Sequence, residues 1–175
     1  MPAAALLKMA KLGAVIDGET PGDQAGYNVA YAGDFDGDGS KDLLISAPNA
    51  DPGGKPAAGK VYLIFGPTRD SLTGAWTNRI NPGDRLSLSE VGKSIRGLVF
   101  TGKNAGDRLG GGEVDAYNPA TGLGIGTTGM RARNISWAGD VNKDGRDDIL
   151  IGAPMATVGI KVHAGEAYLV FGYRP

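Results

Sequence analysis

Short apolar runs, broken by clusters of Gly, Pro and Asp, set the rhythm of this chain. Leu43-Leu44-Ile45-Ser46-Ala47-Pro48 and Lys60-Val61-Tyr62-Leu63-Ile64-Phe65-Gly66 are two such runs, and Ile149-Leu150-Ile151-Gly152-Ala153-Pro154 and Ala167-Tyr168-Leu169-Val170-Phe171-Gly172 are two more. Runs of this length, partly β-branched and bounded by turn formers, predict strands. Val61, Leu63 and Phe65 fall on one face of their strand, and Tyr62 and Ile64 on the other. A strand apolar on both sides must be covered on both sides.

The pattern returns as a whole. A shift of 106 residues (140 − 34) carries Asp34 onto Asp140, Pro48 onto Pro154 and Gly66 onto Gly172 without a gap. Residues 28–66 laid on 134–172 share 20 of 39 positions, which marks an internal repeat and outranks local propensity in reading the fold. Each unit runs strand, acidic loop, strand, Gly/Pro loop, strand. A further pair, Leu12 to Gly18 and Arg96 to Gly102, matches under a shift of 84 (97 − 13), each a strand ahead of a Gly-Asp turn. The shift grows from 84 to 106 because residues 112–133 occur only in the second copy, an insertion of 22 (106 − 84). Residues 67–96 form a second long connection, and long connections in compact domains are more often functional or disordered than idle.

The acidic loops carry the candidate chemistry. Asp34, Asp36, Asp38 and Asp42 occupy positions one, three, five and nine of the first loop, with Gly39 at six; Asp140, Asn142, Asp144 and Asp148, with Gly145, repeat the arrangement. Side chains at alternate positions of a winding loop converge into an oxygen cage for a hard cation, and Ser40 or Arg146 at position seven would add a backbone carbonyl. Gly39 and Gly145 permit the left-handed turn, while Lys41 and Asp147 at position eight should point outward. A flexible carboxylate-rich loop suits calcium better than magnesium, and the expected role is structural. Without a cation, four clustered carboxylates would repel strongly. The first cage has four carboxylates and the second three with an amide, so the first should bind more tightly. An EF-hand is excluded, because position twelve is Ile45 or Ile151, inside a strand, instead of a bidentate glutamate, and no helix follows.

Gly22-Asp23-Gln24-Ala25-Gly26 and Gly106-Asp107-Arg108-Leu109-Gly110, the acidic loops, Ser46-Ala47-Pro48 and Gly152-Ala153-Pro154, and the closing Tyr-Leu-x-Phe-Gly together resemble the FG-GAP repeats of the integrin α-subunit β-propeller. The chain departs from the family at its name-giving Phe-Gly, which reads Ala25-Gly26 and Leu109-Gly110 here. The resemblance implies an all-β fold of β-propeller blades, each of four antiparallel strands, with the ring completed by self-association or by a longer parent chain. It divides the chain into an N-terminal extension (1–11), a first blade with its preceding outer strand (12–102) and a second blade (103–175) containing the insertion. It makes residues 97–101 the outer strand of the first blade. The second blade then lacks one, which residues 12–17 of the same or a neighbouring molecule would supply.

Two blades alone would leave two apolar faces wet, which predicts a homo-oligomer, a trimer or tetramer closing a ring, unless the parent is longer. The resemblance further implies a non-catalytic, secreted or cell-surface module for adhesion or protein recognition, with two structural calcium ions. Residues 67–96 and 112–133 are its candidate contact loops. A glycan-binding propeller and the propeller domain of a larger secreted hydrolase are the alternatives.

Composition narrows this only a little. Thirty glycines and ten prolines in 175 residues argue for turns and against a helix-rich architecture. A formal charge of −1 provides no field for nucleic acid or an anionic membrane, and no run approaches the roughly 18 apolar residues of a membrane span. There is no cysteine, which excludes disulfides and zinc-thiolate sites. Met1 to Lys11 lacks a charged n-region, and Lys8 interrupts its apolar stretch, so it reads as a non-signal segment.

The remaining motifs are weak. Gly124 to Gly129 matches G-x-G-x-x-G without a surrounding βαβ unit, Gly92-Lys93-Ser94 lacks the first glycine of a P-loop, and the single histidine, His163, sits in a polar loop with no nucleophile elbow to serve. Asn134-Ile135-Ser136 is a formal glycosylation sequon inside a predicted strand. Trp137 replaces Tyr31 in the repeat, which favours a core position.

Overall fold

A computed structural model describes residues 12–69, 71–111, 116–117, 124–125 and 134–174. The N-terminal extension 1–11, and the insertion 112–133 apart from two short strand segments, lie outside the described residues. In chain order the strands are β1 (Val15–Asp17), β2 (Val29–Gly33), β3 (Asp42–Ala47), β4 (Lys60–Ile64), β5 (Thr68–Arg69), β6 (Trp76–Thr77), β7 (Arg85–Ser87), β8 (Gly97–Thr101), β9 (Ala116–Tyr117), β10 (Gly124–Ile125), β11 (Ile135–Gly139), β12 (Asp148–Ala153) and β13 (Glu166–Val170). Only two short 3-10 turns, Pro52–Gly54 and Leu88–Glu90, interrupt the β structure of the described residues.

Two sheets dominate. The first is an antiparallel meander ordered β2-β3-β4-β8, and the second is ordered β11-β12-β13. Their registers coincide under the repeat: Tyr31 faces Leu43 and Leu43 faces Ile64, just as Trp137 faces Ile149 and Ile149 faces Val170. Each inner hairpin shifts register just before the acidic loop, where Gly33 (φ 78°) and Gly139 (φ 74°) take a left-handed conformation that a side chain would strain. The bulge turns the chain into the loop.

The alternation of the third strand decides the packing. Leu44, Val61, Leu63 and Phe65 of the first sheet lie against Ile149, Ile151 and Ala153 of the second in one buried cluster. Ile45, Tyr62 and Ile64, on the opposite face of the first sheet, form a second cluster with Leu88, Val91 and Ile95, and Ile16 packs onto it. Ile16 matches Phe100 under the 84-residue shift, and Phe100 packs onto the first cluster, so β1 stands to the first sheet as β8 stands to the second.

Three expectations change here. Residues 67–96 were candidate contact loops; their second half covers the first sheet instead, with Leu88 1 % and Val91 5 % exposed, because Tyr62 and Ile64 require an apolar partner there. Residues 12–17 do not complete the second sheet of their own chain: β1 pairs in parallel with β7, flanked by the exposed Arg85–Asp17 ion pair. Trp137 is not a core residue. It is half exposed and meets Tyr31 edge-to-face, with ring centroids 6.0 Å apart, because both project from inner strands at the margin of the sheet contact.

Of the two apolar faces expected to be wet, one is therefore covered. On the other, Leu150, Leu169 and Phe171 are 42 %, 40 % and 50 % exposed, whereas their repeat counterparts Leu44, Leu63 and Phe65 are 0 %, 0 % and 3 % exposed.

Candidate metal centre

Each acidic loop spans the hairpin between the first two strands of its sheet, as the repeat requires. In the first loop, carboxylate oxygens of Asp34, Asp36 and Asp38 gather within 4.8 Å of one another. Backbone N–H groups wind the chain around them: Asp38 donates to Asp36 Oδ1 (3.2 Å), Gly39 to Asp34 Oδ2 (3.0 Å) and Ser40 to Asp38 Oδ1 (2.8 Å). Gly39 (φ 89°) and Gly145 (φ 87°) hold the left-handed turns, and Lys143 (φ 62°) adopts one where the first loop has Gly37.

Asp42 and Asp148, the position-nine residues, are fully buried struts. Asp42 accepts from the Phe35 and Gly66 N–H groups, both at 2.8 Å, and Asp148 accepts from Val141 and Gly172 at the same distances. Each thereby ties its loop to the end of the third strand. Burial pushes Asp42 up to about 6, against the two N–H bonds and with the help of the Asp36 and Asp38 charges. Burial and the charge of Asp38 likewise raise Asp36. Asp38 moves the other way: burial pushes it up, but bonds from Thr68 and Ser40, together with the Arg96 guanidinium, more than offset that.

The second loop repeats the winding. Asp144 N–H donates to Asp140 Oδ1 (3.0 Å) and Asn142 Oδ1 (3.1 Å), Gly145 to Asp140 Oδ2 (2.9 Å) and Arg146 to Asp144 Oδ1 (3.0 Å). Here Asn142 Nδ2 donates to Asp144 Oδ2 at 3.0 Å, and the Arg146 guanidinium lies 3.5 Å from the same oxygen.

Asp147 corrects an expectation. Position eight was to point outward, yet Asp147 Oδ2 accepts the Asp34 N–H at 2.8 Å, and its own N–H donates to the Asp34 carbonyl at 3.1 Å. Sheet packing brings the two loops together, and Gly33 leaves the room: a Cβ there would sit 2.3 Å from Asp147 Oδ2. Lys41, by contrast, is exposed, its Nζ 5.4 Å from the Tyr31 ring centroid. Sequence spacing also gave no sign of Arg96, whose guanidinium lies 3.1 Å from Asp36 Oδ2.

One observation tests whether these residues fit a cation. Asp34 Oδ1 is shielded from solvent and has no hydrogen-bond partner, and Asp34 is one of the three gathered carboxylates. An unpaired buried carboxylate oxygen is costly, and a divalent ion is one partner that would satisfy it. The donor set, all oxygen and mostly carboxylate, fits calcium. By comparison, the glycosylation sequon is poorly placed, since Asn134 Nδ2 is itself shielded from solvent.

A family model for the FG-GAP repeat matches residues 25–64 and 135–170, the two stretches that hold the cages. The chain carries two FG-GAP repeats. The two sheets are accordingly blades of the β-propeller type, and the ring is not closed within this chain. FG-GAP repeats often bind calcium, are found in integrin-like propeller modules implicated in adhesion or recognition, and belong to a family that is generally non-catalytic and typically extracellular. No curated protein matches the chain. No helix among the described residues is long and apolar enough to cross a membrane.

Proposed function

We propose that this chain is a calcium-stabilised, non-catalytic FG-GAP propeller module serving adhesion or protein recognition outside cells. The observation that carries the reading is the first cage, where three gathered carboxylates include a buried oxygen without a partner. Calcium would be held by Asp34, Asp36, Asp38 and Asp42 with the Ser40 carbonyl, and in the second loop by Asp140, Asn142, Asp144 and Asp148 with the Arg146 carbonyl. Asp42 and Asp148 keep a free lone pair on each oxygen beside their backbone bonds. Of the two sites, the first, with four carboxylates, is the tighter. Millimolar calcium outside cells would fill both.

A ligand that binds only the folded loops stabilises by RT ln(1 + [L]/Kd), roughly 2.7 kcal/mol at a hundredfold excess over Kd. Thermal melts should therefore move upward by several degrees in calcium relative to chelator. Identical melts in the two buffers would defeat the calcium reading.

The open Leu150-Leu169-Phe171 face is where a further blade would stack, from a second copy in a trimeric or tetrameric ring or from a longer parent chain. A ring of identical copies would set this face on the Ile45-Tyr62-Ile64 face of its neighbour, so the covering Leu88-Val91-Ile95 segment would have to move aside. A glycan-binding reading draws on one feature, a groove of about 410 Å³ between the inner strands lined by Asn28, Tyr31, Ser136 and Trp137. Aromatic faces beside the Ser136 hydroxyl suit a sugar, and a glycan array separates the two readings.

A further inference from the structure

Arg96 lies where the 67–96 segment ends and β8 begins, sixty residues from Asp36 in sequence. Its backbone is clamped: the Arg96 N–H donates to Asn78 Oδ1 (2.9 Å), and its carbonyl accepts from the Phe65 N–H (3.1 Å) and from Asn78 Nδ2 (3.2 Å). From that anchor the guanidinium spans 5.6 Å to the Phe65 ring centroid and enters the first acidic loop. One terminal nitrogen is 3.1 Å from Asp36 Oδ2; the other donates to Thr68 Oγ1 at 2.7 Å and stands 3.7 Å from Asp38 Oδ2. Thr68 in turn donates its hydroxyl to Asp38 Oδ2.

Asp36 is 1 % exposed, so its charge cannot rely on water, and a paired guanidinium is the compensation the fold provides. The second loop is built differently. Its arginine, Arg146, comes from within the loop, and Asp144, the carboxylate it neighbours, is exposed.

We propose that Arg96 is a built-in counter-cation of the first cage. It holds Asp36 and Asp38 together in the calcium-free chain and competes with calcium for the same oxygens. The inference rests on the calcium reading above. A divalent ion coordinated by Asp36 and Asp38 would sit within a few ångströms of the guanidinium, and like charges that close repel across a poorly solvated gap. Filling the cage therefore weakens the Arg96 contacts, and by linkage those contacts weaken calcium binding by the same factor. The Leu88-Val91-Ile95 anchor keeps the segment docked in both states, so the exchange is confined to the Arg96 guanidinium and Thr68.

The test is calcium titration calorimetry on the full chain, with Asp140→Asn in every arm to weaken the second loop. Arg96→Gln should tighten calcium binding at the first loop roughly tenfold, within the usual range of coupled sites, and should lower the melting temperature in chelator. Arg96→Lys, which keeps the charge without the planar fork, should fall between Gln and the parent. First-loop affinity that is unchanged or weaker in Arg96→Gln overturns the competition and leaves the calcium reading intact. Absence of calcium heat in both the parent and Arg96→Gln overturns the two together.

Discussion

In the first acidic loop Asp36 is 1 % exposed and Asp38 only partly accessible, whereas Asp140, Asn142 and Asp144 of the second loop all face solvent. The spacing of the donors is the same, and so are the backbone bonds that wind each loop. The surroundings differ because the second loop lies over the first, through Asp147 and Asp34, while the 67–96 segment closes the other side with Thr68 and Arg96. One motif thus occupies two electrostatic environments. The buried copy needs protein partners for its charges, and the open copy can use water. At the first loop Arg96 is that partner when no ion is bound.

The largest expected effect lies in the struts. Asp42→Ala strands the N–H groups of Phe35 and Gly66, both buried, and should cost about 2–5 kcal/mol in denaturant unfolding. Asp148→Ala strands those of Val141, which is exposed, and Gly172, which is partly so; water can replace the carboxylate, and the cost should be about half as large. Equal costs would show that the loops differ in exposure but not in dependence on their struts.

A smaller effect follows from acidity. Asp42 titrates near 6 in the folded chain, above the ordinary carboxylate value, so between about pH 4 and 6 the folded state holds a proton that the unfolded state has released. In chelator, stability should therefore fall as pH rises through that window, by at most about 3 kcal/mol from this group. Calcium requires deprotonated ligands and should reverse the slope. Unfolding midpoints across this range, in chelator and in calcium, check both signs. A rising slope in chelator would contradict the burial argument.

The smallest change sharpens the comparison from the other side. Asn142→Asp gives the open loop a fourth carboxylate and removes the amide bond to Asp144. Calcium affinity there should rise several-fold, while stability in chelator shifts by only about 0.5 kcal/mol, because the new charge is solvated. A large loss of stability would mean the second loop is less open than its exposure indicates.

Much of the architecture was legible because it is local and repeated. The 106-residue shift placed β2 to β4 and β11 to β13, and the donor spacing placed both loops in hairpins. The two-sided alternation at Val61 to Phe65 required a cover on each face. What supplied the covers was not legible, since Leu88, Val91 and Ile95 carry no repeat signature and belong to a connection that read as a contact loop. Asp147 and Trp137 were misjudged for a related reason. Position within a loop or strand says which way a side chain leaves its own element and is silent about the neighbouring element that meets it.

The sequence by itself determined two copies of one unit, their strands, and the convergence of alternating donors, because these follow from backbone period and from residues at most a few positions apart. Only the tertiary structure decided that one cage is buried and the other open, and that Arg96 enters the first. These outcomes depend on which surfaces come together across long chain separations, where the burial of apolar faces such as Tyr62 and Ile64 fixes the packing and the charged groups must find partners within it.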